Sequence, residues 1–171
     1  ITLPIARAGG RLVTFNCAWL LLTACKHIWT WIRTNVVPIV PLGFPIDDIM
    51  PKYHRVVALT IIFSGLVIHT LPQIVNYSMG SLKPDDSRIW TFGDGMATTQ
   101  LLVTGIMLVL IFTMFFLTTL KAFRKTTTGF RWFWWFHMTG IALCYPLLIL
   151  HGTYKGNPIF LAFVMGPLLL Y

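Results

Sequence analysis

Two apolar runs of nearly equal length each begin and end on a histidine: HRVVALTIIFSGLVIH, from His54 to His69, and HMTGIALCYPLLILH, from His137 to His151. On an α-helix, separations of about 15 and 14 residues bring both members of each pair roughly onto one face, with about 21–22 Å of rise between them. Set side by side, two such helices would place one facing imidazole pair near each side of a ~30 Å hydrocarbon core. Facing imidazoles can hold an iron from both sides of a planar macrocycle. The pattern therefore predicts an all-α transmembrane bundle framing two stacked b-type haems, with His54, His69, His137 and His151 as axial ligands.

A single histidine in a helix more often bonds a carbonyl or a hydroxyl than a metal. In lipid the balance changes, because an ionisable group there is costly and usually functional. Two matched pairs strengthen the case. Zinc is disfavoured, since a tetrahedral site wants clustered ligands, and these are spread over two depths.

Apolar residues make up 56% of the 171-residue chain and charged residues 11%, with a mean hydropathy of +0.75. Too little polar surface remains to cover a soluble domain. The formal net charge of +8 does not indicate nucleic acid, because the basic residues stand at segment ends, as on the cytoplasmic face of membrane proteins. Cys17, Cys25 and Cys144 fall inside apolar segments and read as buried free thiols rather than a disulfide framework. No signal-peptide pattern opens the chain.

Five membrane helices are expected, at 12–32, 54–74, 98–120, 132–150 and 159–171. Four prolines between 34 and 53 predict a loop there. Pro72 should kink the end of the second helix, and Pro146 should kink or bulge the fourth and rotate His151 relative to His137. His27 has no partner at matching spacing and reads as structural or interfacial. The aromatic run WFWWF that opens the fourth segment suits a membrane interface.

Eight of the thirteen basic residues (Lys26, Arg33, Lys52, Arg55, Lys121, Arg124, Lys125 and Arg131) lie in the first and third connections or at their edges, which places those connections inside. The second connection then faces outward, where Asn76-Tyr77-Ser78 fits the N-glycosylation pattern. The two histidine-bearing helices become parallel. His54 meets His137 inside, and His69 meets His151 outside.

In order, ARAGGRLVTFNC, HRVVA, TGIMLVLIFTMFFLTTLKAFRK, FWWFH, LLILHG and VMGPLLLY resemble successive pieces of the transmembrane domain of the NADPH oxidase family, within the ferric reductase superfamily. The resemblance runs over nearly all of 1–171, read as one ferric-reductase-like transmembrane domain with the dehydrogenase domain beyond it. It implies electron transfer from cytosolic NADPH through FAD, an inner haem on His54 and His137, and an outer haem on His69 and His151. The acceptor is O2 and the product superoxide. Arg7 aligns with a family arginine near the oxygen site, where a fixed positive charge favours an anion.

Three departures from the family pattern stand out. Each histidine spacing is one residue longer than usual. A family histidine four residues beyond the outer ligand is Gln73, which can hydrogen-bond but cannot carry a proton at neutral pH. The aromatic that often lies between the haems is Leu143, with Tyr145 nearby as a substitute or as plain packing. The short link from Gly152 to Pro158 resembles superoxide-releasing members.

Two other readings stay open: a ferric or metal-chelate reductase using Asp85, Asp86 and Asp94 outside, and a non-enzymatic membrane subunit without haem. Lipid, O2, a dehydrogenase domain and a membrane or regulatory subunit are the expected partners, nucleic acid is not, and the plasma membrane is the expected location.

Overall fold

The computed structural model describes residues 2–24, 26–35, 46–78 and 96–152, and every element among them is helical. In chain order these are α1 (Thr2–Ala24), α2 (Lys26–Asn35), α3 (Ile46–Phe63), a π-helical segment (Ser64–Thr70), α4 (Leu71–Ser78), α5 (Met96–Thr119), α6 (Lys121–Arg124) and α7 (Thr127–Gly152). The all-α fold expected from the sequence is the one observed. The fifth predicted helix, at 159–171, lies outside the described residues, as does Cys25.

Among the described residues, three helical stretches are long and apolar enough to cross a membrane: Met50–Asn76, Gln100–Thr119 and Thr127–Gly152. Their outward faces are apolar too. Val103, Met107 and Leu117 on α5, and Trp132, Trp134 and Trp135 at the start of α7, are all exposed. A helix apolar all round has no water-facing side and belongs in lipid. The protein is an integral membrane protein.

Several helices begin earlier than expected, among them α7, at Thr127 rather than 132. The first helix starts at Thr2 rather than 12. α3 begins at Ile46 and carries Pro51 inside it, where a loop was expected. One proline near a helix start removes a single backbone bond, and the apolar surface that follows outweighs it.

The extra residue between His54 and His69 has a visible destination. Residues 64–70 wind as a π-helix, whose i→i+5 bonding absorbs an inserted residue without breaking the rod. His69 then keeps an offset from His54 close to that of His151 from His137. The cause is local. Pro72 has no N–H for the Ile68 carbonyl, while the Thr70 hydroxyl donates to the Gly65 carbonyl at 2.7 Å. In α7, Pro146 lies within one uninterrupted helix.

α5 packs along α7, and α1 packs against α3, the π segment and α4. α3 and α7 scarcely approach one another. The core joins Val13, Cys17, Leu21, Val57, Ile61, Leu108, Phe112, Cys144, Tyr145 and Leu148. The two histidine-bearing helices are thus held apart by α1 and α5, with their histidines across the gap.

Candidate functional site: two facing histidine pairs

His54 faces His137 with ring centroids 6.4 Å apart, and His69 faces His151 at 6.0 Å. The N-terminal histidines meet at one level and the C-terminal ones at another, so the two helices run parallel. An imidazole nitrogen bonds a transition metal at about 2.0–2.1 Å, which puts the centres of two rings sharing one ion on opposite sides about 6.3–6.5 Å apart. Both pairs stand close to that separation.

Three of the four rings have a defined proton. His69 Nδ1 lies 2.7 Å from the Ala6 carbonyl, which only accepts, so Nδ1 carries the hydrogen and Nε2 keeps its lone pair. Thr104 gives its hydroxyl proton to the Gln100 carbonyl at 2.7 Å. Its oxygen therefore accepts from His151 Nδ1 at 2.9 Å. Thr23 repeats the device: it donates to the Leu20 carbonyl at 2.6 Å and accepts from His54 Nδ1 at 3.2 Å. A bare Nε2 fixed by an Nδ1–H bond is the usual state of a metal-ligating histidine. The fourth ring differs. His137 Nδ1 is buried without a partner among the described residues, and Phe115 and Phe133 pack on the ring with centroids at 5.4 and 5.2 Å.

Small residues let the neighbouring helices close on the outer pair. A Cβ on Gly9 would come within 2.8 Å of the His69 amide nitrogen, and one on Gly10 within 3.1 Å of the His69 ring. Across the gap, a Cβ on Gly105 would meet the His151 ring at 3.3 Å. Each outer histidine is therefore bonded and flanked by an adjacent helix, α1 on one side and α5 on the other.

His69 and His151 both line a cavity of about 800 Å3, together with Arg7, Arg11, Gln73 and Phe112. Arg7 and Gln73 thus share one chamber with the outer pair. Asn76 is 1% exposed; its amide donates to Gln73 Oε1 at 2.9 Å and its oxygen accepts from Thr2. Gln73 is left to offer its NH2 to the chamber. The buried Asn76 has no room for a glycan, so the sequon contributes nothing to orientation, which rests on charge alone.

The inner cleft, of about 80 Å3, is lined by Cys17, His54, Phe115, His137, Cys144 and Tyr145 among others. Cys17 and Cys144 are buried free thiols. Tyr145 donates to the Cys17 carbonyl at 2.8 Å, while Leu143 is 51% exposed and faces outward. Phe112, from α5, lines both spaces. Its ring fits because residue 65 is glycine, where a Cβ would meet it at 2.9 Å.

Sequence reasoning missed Ala6, Thr23, Thr104 and Phe112, since nothing local marks a carbonyl, a threonine or a phenylalanine as facing a distant helix. The Gly9-Gly10 doublet was a usable signal, because two glycines inside a helix weaken it unless another backbone comes close. His27 is exposed and belongs to neither pair. Asp85, Asp86 and Asp94 lie outside the described residues.

A family model described as ferric reductase like transmembrane component matches residues 10–149. Respiratory burst oxidase homolog protein D of Arabidopsis thaliana is 30% identical over 173 residues, covering 86% of this chain and 18% of that protein. Human dual oxidase 1 is 28% identical over 185 residues, covering 98% of this chain and 11% of its own length. The chain thus spans less than a fifth of these curated relatives. With most of its residues inside the family match, the chain belongs to the ferric reductase like transmembrane components.

Proposed function

We propose that this domain conducts electrons across a membrane, from NADPH and FAD on a cytosolic dehydrogenase domain to O2 on the far side, and so generates superoxide. Two b-type haems would supply the one-electron redox chemistry when bound. His54 and His137 would hold the inner group, and His69 and His151 the outer. The observation that carries this reading is the matched spacing of the two imidazole pairs, 6.4 and 6.0 Å, with Nε2 left bare on the three rings whose Nδ1 is bonded.

The chain's own residues divide the remaining work. Ala6, Thr23 and Thr104 hold the imidazoles in the ligating tautomer. α1 and α5 keep the two histidine helices at a fixed separation. At the outer chamber, the Arg7 guanidinium favours an anion over neutral oxygen, because its charge is pre-placed and needs no reorganisation. Gln73 adds a hydrogen-bond donor. Apolar walls keep the effective dielectric low and strengthen both effects. The plasma membrane is the proposed location, with lipid around the bundle and room for a membrane or regulatory subunit.

The test is a reduced-minus-oxidised spectrum of the purified full-length protein, with haem counted per chain. Two bis-imidazole haems per chain, and superoxide formed on adding NADPH, are the expected results. Absence of haem overturns the proposal. Ferric-chelate reduction without superoxide would replace the acceptor.

A further inference from the structure

Arg11 is assigned no role by the family pattern or by the expected oxygen chemistry, yet it lines the outer chamber with Arg7. The two stand one turn apart on α1, with Gly10 and Thr14 on the same stripe. Gly10 abuts the His69 ring, so Arg11 lies level with the outer imidazoles. His69 belongs to a stretch long and apolar enough to cross a membrane, so a guanidinium at its level is costly beside lipid. A charge at that level needs an anion. No Asp or Glu lines the chamber, and neither arginine has a hydrogen-bond or ion-pair partner among the described residues. The chamber thus carries two fixed positive charges against apolar walls, with no negative charge from the described protein.

We propose that Arg11 binds a carboxylate of the tetrapyrrole held between His69 and His151. This inference rests on the haem reading above. A planar guanidinium pairs with a carboxylate through two parallel hydrogen bonds, and the ligand expected between those histidines carries carboxylates at its edge. Arg7, one turn nearer the helix start, remains at the oxygen side of the same chamber. A lipid phosphate is the competing anion, because a long arginine can snorkel to a headgroup.

The experiment is a redox titration of the full-length holoprotein in neutral detergent, comparing wild type, Arg11→Gln and Arg11→Lys, with transfer of haem to excess apomyoglobin followed in parallel. Arg11→Gln is expected to lower the outer-haem potential, because a positive charge that stabilises the reduced state is gone. The inner potential should hold, and outer-haem loss should be at least tenfold faster. Arg11→Lys keeps the charge without the fork and should give an intermediate shift. It also carries the test if Arg11→Gln does not accumulate. An unchanged outer potential and loss rate overturn the proposal and leave Arg11 to the lipid. Equal shifts at both haems overturn it as well, since they report general loosening. A wild-type protein without a bis-imidazole spectrum instead removes the underlying function, and that result appears before any variant is made.

Discussion

Gly9 of α1 lies against the backbone of His69, so closely that a methyl group at position 9 would sit 2.8 Å from the His69 nitrogen. The clash is with backbone, which cannot swing aside. Gly9→Val is expected to push the π segment off α1 and cost about 1–3 kcal/mol, the usual range for overpacking. Outer-haem absorbance should fall while inner-haem absorbance persists. Ala8→Val, on an exposed position of the same helix, should leave both haems in place. Heat denaturation and spectra of the two variants check this.

Loss of a ligand should be selective by level. His69→Leu and His151→Leu are expected to remove the outer haem and spare part of the inner signal. His54→Leu and His137→Leu should do the reverse. Equal loss of both haems in all four variants would break the assignment of pairs.

Thr104 fixes His151 through one hydroxyl and no charge. Thr104→Val keeps the shape and deletes the hydrogen bond, so outer-haem affinity should drop about 10–100-fold, as for other groups that orient a ligating histidine. Thr104→Ser should restore it. Haem transfer to apomyoglobin measures the difference.

Phe112 separates the two cavities, and Leu143 faces outward. Phe112→Ala is expected to join the spaces and cost about 3–5 kcal/mol, with slower electron passage between the haems after rapid reduction of the inner one. Leu143→Ala should leave both properties near wild type. Similar rates in the two variants would remove Phe112 from the path.

The helical class and the four histidines were legible because their signals are periodic and local. A run of apolar residues needs no partner to be read, and neither does a histidine at each end. What stayed hidden depends on register between helices distant in sequence. The link from Ala6 to His69 spans 63 residues and that from Thr104 to His151 spans 47. Neither can be inferred from its own surroundings. Asn76 shows the opposite hazard: a tripeptide suggesting an exposed acceptor belongs to a buried amide, because the helix continues through it to Ser78. Pro51 likewise read as a breaker and proved an early member of α3. The spacing from His54 to His69, one residue longer than that from His137 to His151, became intelligible only when the backbone was seen to widen between Ser64 and Thr70.

That widened coil lets this rod hold one more residue than its counterpart without losing alignment. A residue gained or lost in the middle of a spanning rod would ordinarily turn everything beyond it by about 100°, swinging a ligand away from its counterpart. A looser turn takes up the difference in place. Here fifteen positions on one rod and fourteen on the other therefore still present both rings to the same gap.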